Sequence, residues 1–238
     1  MGEMILAAVS CARGAFTLQV EALRIAPGEK IAILGENGCG KTTLLQVLAG
    51  LLPTNGAITR AGANWGKLGA AERARHLAYL PQSSGLLFNL SVEELINLAL
   101  ADQPPLAGEA RAAVLTATEM DGFLARPYHS LSGGEKQRAM LARIFCRRAS
   151  LVLLDEPTGP LDMRHAAQVM AHLRASPAAV LAAMHDLNLA VRWFDRFLLM
   201  KQGKIVYDKR KSELEAAMLE EVYGLRLKRC NDHFVPDF

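Results

Sequence analysis

Gly35-Glu36-Asn37-Gly38-Cys39-Gly40-Lys41-Thr42 decides the fold of this chain. The octapeptide satisfies the pattern G-x-x-x-x-G-K-[ST] at every position, and its flanks supply the setting that the pattern requires. Ahead of it, Lys30-Ile31-Ala32-Ile33-Leu34 reads as a short apolar strand buried on both faces. Behind it, Leu44, Leu45 and Leu48 recur at helical spacing, and Gly50 is placed to end the helix. A glycine loop between strand and helix turns successive backbone N–H groups toward one point, where the helix dipole adds partial positive charge. Gly35, Glu36, Asn37, Gly38, Cys39, Gly40, Lys41, Thr42 and Thr43 are therefore the candidate nucleotide-binding residues. Lys41 is placed to reach the outer phosphates, and the Thr42 hydroxyl to ligate Mg²⁺. The sequence encodes a nucleoside triphosphate site.

Two further stretches narrow the class. Leu131-Ser132-Gly133-Gly134-Glu135-Lys136-Gln137-Arg138 opens a helix, with Ser132 as its N-cap and Glu135 at the reciprocal capping position. Leu151-Val152-Leu153-Leu154 is a continuous apolar strand that delivers Asp155 and Glu156 at its carboxyl end, where open α/β sheets place their ligands. With the glycine loop, these motifs closely resemble the ATP-binding subunits of ABC transporters, over nearly the whole chain and in the expected order. The resemblance implies an α/β fold: a P-loop NTPase (RecA-like) core, an N-terminal β-layer, and a helical subdomain carrying the Ser132-Gly133-Gly134 signature. Residues 1–82 and 146–238 are expected to form β-layer and core, and 83–145 the helical subdomain, within one ABC ATPase domain.

Bulk properties bound the other classes. The 238 residues carry 27 basic and 24 acidic side chains, a net charge of +3 that argues against a dedicated nucleic-acid surface. No apolar run approaches the ~18 residues that span a bilayer. The N-terminus lacks a basic region followed by an apolar stretch, so no secretory signal is expected. Cys11, Cys39, Cys146 and Cys230 form no C-x-x-C pair, which fits a reducing compartment better than a disulfide framework or zinc site.

Roles follow from the resemblance, position by position. Tyr79-Leu80-Pro81-Gln82 resembles the Q-loop, which gives Gln82 a contact to Mg²⁺ and to the attacking water. Asp155 is implied to hold Mg²⁺ through water, and Glu156 to act as general base. His185 follows another apolar strand, Ala179 to Met184, and matches the switch histidine that contacts the γ-phosphate. Asp162 lies in the D-loop, where Gly159 and Pro160 depart from the family's Ser-Ala. The family's adenine-stacking aromatic is absent from Cys11-Ala12-Arg13. Period-2 alternation assigns the nearby Phe16 to the core, leaving Arg13 to lie flat on the base. Met140, Leu141, Ile144 and Phe145 read as a buried stripe, with Arg138, Arg143, Arg147 and Arg148 facing elsewhere. Gly85 to Leu90 is a candidate docking surface. Cys39, beside a helix N-terminus, is expected to have a lowered thiol pKa, and its alkylation is expected to block ATP hydrolysis, with bound Mg-ATP protecting.

The reaction implied is Mg²⁺-dependent transfer of the ATP γ-phosphoryl group to water. Two copies are expected to pair head to tail, each supplying Ser132, Gly133 and Gly134 in trans, beneath integral membrane permease subunits at the cytoplasmic face of the inner membrane. His185-Asp186-Leu187-Asn188-Leu189-Ala190 and Leu219-Glu220-Glu221-Val222-Tyr223-Gly224 look like ATPases of importers for iron–siderophore, haem or vitamin B12. Zinc or manganese importers are the nearest alternative. A non-transport ABC ATPase acting on nucleic acid or ribosomes is a third reading, with little room for a coiled coil between Gln82 and Leu131.

Overall fold

The computed structural model describes residues 2–82, 89–98, 106, 108–231 and 233–237. The candidate docking segment from Gly85, Leu100 of the helix predicted around Leu95, and the break at Asp102-Gln103-Pro104-Pro105 fall wholly or largely outside these residues.

The N-terminal third forms an antiparallel layer. Strand β1 (Met4–Arg13) pairs with β2 (Phe16–Ile25) as a long hairpin, and with β4 (Asn55–Arg60), which pairs with the short β5 (Ala63–Asn64). The core strands are parallel: β3 (Lys30–Leu34), β6 (Leu77–Leu80), β7 (Leu151–Asp155), β8 (Ala179–Ala183) and β9 (Arg196–Lys201). The fully buried β3, β7 and β8 are unbroken apolar runs because helices cover both faces. β10 (Lys204–Arg210) returns antiparallel to β9 across the turn Gln202-Gly203, both residues at positive φ, as a two-residue hairpin of this twist requires. These strands make one sheet in the order β5-β4-β1-β2-β10-β9-β3-β8-β7-β6.

Helix α1 (Lys41–Leu48) follows the glycine loop and ends at Gly50, at φ 69°. It buries Leu44, Leu45 and Leu48 against the β-layer face, and Trp65 closes that core by donating from Nε1 to Leu48 O at 2.9 Å. α2 (Ala70–Ala74) leads into β6. α3 (Val92–Leu98), α4 (Gly108–Thr118) and α5 (Gly133–Cys146) form a helical group whose Val92, Leu95, Val114 and Met140 join the core on the other sheet face. α6 (Met163–Ala175), α7 (Leu187–Trp193) and α8 (Ala216–Tyr223) complete that side. A hairpin of β11 (Leu227–Cys230) and β12 (His233–Pro236) follows α8; it had no counterpart in the sequence reading.

The stripe on α5 departs from expectation. Arg138 is buried rather than outward-facing: its guanidinium sits 2.6 Å from His165 Nε2, a nitrogen shared with Glu119, and 6.0 Å from the Phe123 ring. Phe145 is only half-buried and packs on the His172 ring.

Candidate functional site

The loop ending β3 shapes a cavity of about 550 Å³ at the carboxyl edge of the parallel strands. Asn37, Gly38, Gly40, Lys41, Thr42 and Thr43 of the loop and helix start line it together with Gln82, Glu156 and His185. Gly35, Glu36 and Cys39 shape the loop without lining the cavity. Gly35 is required by close approach, since a Cβ there would stand 2.3 Å from Met200 O. Lys41 is buried, and its Nζ donates to Gly35 O at 2.6 Å and Glu36 O at 3.0 Å, which holds the ammonium across the mouth of the loop.

β7 places the two acids at different depths. Asp155 is 1% exposed and lies beside the Thr42 hydroxyl, while burial pushes its carboxyl pKa upward. Its Oδ2 is buried with no hydrogen-bond partner. A hard, desolvated carboxylate oxygen beside a hydroxyl suits Mg²⁺. Among the described residues no group of three His, Cys, Asp or Glu is placed to hold a metal ion, so the donor set fits an ion shared with phosphates better than a protein-only cage.

Glu156 projects where the strand ends. Its backbone stands at φ 53°, anchored by its N–H to Ala183 O at 3.1 Å. One carboxylate oxygen, Oε1, accepts from Gln82 Nε2 at 2.8 Å and from His185 Nε2. Three loops after three parallel strands thus converge on one oxygen, leaving Oε2 for another donor. A non-glycine residue in this backbone region commonly marks a functional site.

The signature and Asp162 lie elsewhere. Ser132 and Glu135 form a complete capping box, with Glu135 N–H on Ser132 Oγ and Ser132 N–H on Glu135 Oε2, and neither lines the chain's own phosphate cavity. Asp162 caps α6 by accepting from His165 N at 2.9 Å.

Two expectations change. Cys39 is buried under the loop, and desolvation raises its thiol pKa despite Lys41 nearby, so the lowered pKa expected from the helix N-terminus does not hold. Phe16 packs on the β-layer core but also overhangs Gly40, and lines the cavity with Arg13, whose Nη1 donates to Gln46 Oε1 at 3.2 Å. The alternation of β2 revealed only its core side.

Sequence reasoning missed two residues. His165 ties Asp162, through Nδ1 at 2.8 Å, to Arg138 and Glu119. Tyr223 reaches the phosphate loop, where its hydroxyl accepts from Gly35 N–H at 3.1 Å. A tyrosine closing a helix that buries Leu219 and Val222 was the available signal, because a phenol turned toward a core needs a polar partner.

A phosphate loop, a buried acid on a hydroxyl, and a second acid steered by glutamine and histidine define a P-loop nucleoside triphosphatase. The family model described as ABC transporter matches residues 18–159, and the chain belongs to that family as one of its ATPases. It is 40% identical over 218 residues to the hemin import ATP-binding protein HmuV of Pseudomonas putida, covering 85% of each chain. It is 41% identical over 214 residues to the HmuV of Streptomyces coelicolor, covering 84% of this chain and 75% of that one. Among solved structures, an ATP-binding subunit of an ABC transporter superposes with a TM-score of 0.80 at 24% identity, covering 94% of both chains. A dimeric bacterial ABC transporter cassette superposes at 0.75 and 24%, covering 87% of this chain and 98% of that one.

Proposed function

We propose that this chain is the ATP-hydrolysing subunit of an ABC importer that takes up haem. The observation that carries the reading is the convergence of Gln82 and His185 on Glu156 in the cavity lined by the phosphate loop. The importer and its cargo are supported by the hemin import ATPases that the chain resembles along most of its length.

In this reading the loop amides and Lys41 hold the β- and γ-phosphates of ATP. Gln82 and His185 fix the Glu156 carboxylate so that it accepts a proton from the attacking water, and His185 lies beside the γ-phosphate. Mg²⁺, held by Thr42, Gln82 and Asp155, supplies charge neutralisation on the phosphate oxygens. Phe16 and Arg13 are the groups available to the base. Because Ser132, Gly133, Gly134 and Asp162 do not line the chain's own cavity, they serve the site of a second copy in a head-to-tail dimer. Among the described residues no helix is long and apolar enough to cross a membrane, so permease subunits supply the pore and hold the ATPase at the cytoplasmic face of the inner membrane. Residues 83–145 are the subdomain that meets them.

The test is capture of Glu156→Gln with Mg-ATP from detergent-solubilised native membranes, followed by uptake assays on the wild-type complex in proteoliposomes. A multi-span permease and ATP-dependent haem uptake are expected. Uptake of an iron–siderophore, cobalamin or zinc instead would correct the cargo, and capture of ribosomes or nucleic acid would overturn the importer reading.

A further inference from the structure

We infer that Tyr223 is a positioning residue for nucleotide binding, and that the C-terminal segment exists in part to hold the phosphate loop. The inference rests on the nucleotide-site reading above and assigns a role to a residue outside its motifs.

Gly35 is the point where the chain leaves β3 and turns into the loop. Its N–H is met by the Tyr223 hydroxyl at 3.1 Å, across 188 positions of sequence. Tyr223 is half-buried, and desolvation pushes its pKa up to about 12, so the phenol stays neutral. The carbonyl of the same glycine takes Lys41 Nζ. Both polar groups of the loop's first residue are thereby fixed, one by the lysine that faces phosphate and one by α8.

The helix that carries Tyr223 is itself secured. Lys201 Nζ donates to Glu221 O at 2.5 Å, Tyr207 donates its hydroxyl to Glu221, and Leu227 N–H donates to Glu220 Oε1 at 2.8 Å. The hairpin beyond it reaches the segment after His185. Asn188, three residues after His185, donates from Nδ2 to Phe234 O at 3.1 Å and accepts from Phe234 N–H at 2.8 Å. The Leu219–Gly224 and His185–Ala190 stretches therefore share a physical purpose: one C-terminal unit braces both the phosphate loop and the turn after the switch histidine.

Tyr223→Phe keeps the ring and removes the acceptor, leaving a buried N–H unpaired at the loop's entry. Isothermal titration with ATP should show roughly ten-fold weaker binding, with kcat at saturating ATP within about two-fold of wild type. A merely structural tyrosine would lower Tm and leave the Kd of folded protein unchanged. Equal ATP affinity in the two proteins overturns the role of Tyr223, whereas a wild-type chain that binds no ATP overturns the nucleotide-site reading itself. Should Tyr223→Phe not fold, amide hydrogen exchange at Gly35 in the wild-type protein decides: slow exchange is expected, and exchange as fast as an exposed loop amide overturns the contact.

Discussion

Replacing Gly35 by alanine separates close approach from backbone freedom in the phosphate loop. Gly35 sits at φ +149°, and an added Cβ would stand 2.3 Å from Met200 O and 2.8 Å from Cys39 Sγ. Met200 O belongs to β9, an interior strand beside β3, and cannot swing aside as a side chain would. Overpacking of this kind costs about 1–3 kcal/mol. A left-handed backbone adds about 1–2 kcal/mol for a residue with a Cβ. The expected loss is therefore about 2–5 kcal/mol. Displacing the loop by about 1 Å should lower kcat/KM by roughly 10²-fold as well. Gly38→Ala is the control: at φ +78° with no heavy atom within 4 Å of its would-be Cβ, it bears only the conformational cost. Urea unfolding of both variants, with ATPase assays on each, measures the difference. Equal stabilities for the two would refute the packing argument.

Other consequences can be checked separately. A disulfide reagent should modify Cys230 promptly and the buried Cys11, Cys39 and Cys146 slowly, since burial raises Cys39 and pushes Cys146 up to about 11; a second fast thiol would contradict this. Hydrogen bonds from His165, Gln168 and Arg164 lower the Glu119 carboxyl from 4.5 to about 2. Because its folded pKa is depressed, the stabilisation is present above pH 4.5 and lost as pH falls through 2, so Glu119→Gln should flatten the acid-unfolding profile in that window. Trp65→Phe removes the donor to Leu48 O and part of a buried ring, and should cost about 1–3 kcal/mol in urea unfolding.

Local signals made the catalytic strand edges legible. Unbroken apolar runs at Ile31–Leu34, Leu151–Leu154 and Ala179–Ala183 belong to strands buried on both faces, so Gly35, Asp155, Glu156 and His185 could be placed at one sheet edge from sequence. Capping chemistry located the start of α5, because Ser132 and Glu135 act within one turn. What escaped were contacts between distant segments. Tyr223 on Gly35, Asn188 on Phe234 and Arg138 on His165 each join parts of the chain that no periodicity relates. Cys39 misled for a related reason: a helix N-terminus favours the thiolate, but desolvation under Gly35 and the β-layer outweighs it. Arg138 looked outward because charge is normally solvated, and it is inward because His165 and the Phe123 ring receive it.

The most direct test of the account is the rate of Mg-ATP hydrolysis by Glu156→Gln, with ATP binding measured on the same sample. The variant preserves the shape of the side chain and removes the carboxylate that Gln82 and His185 orient. Hydrolysis should fall by roughly 10²–10⁴-fold while ATP affinity is kept. Hydrolysis within about ten-fold of the wild-type rate would show that Glu156 is not the base.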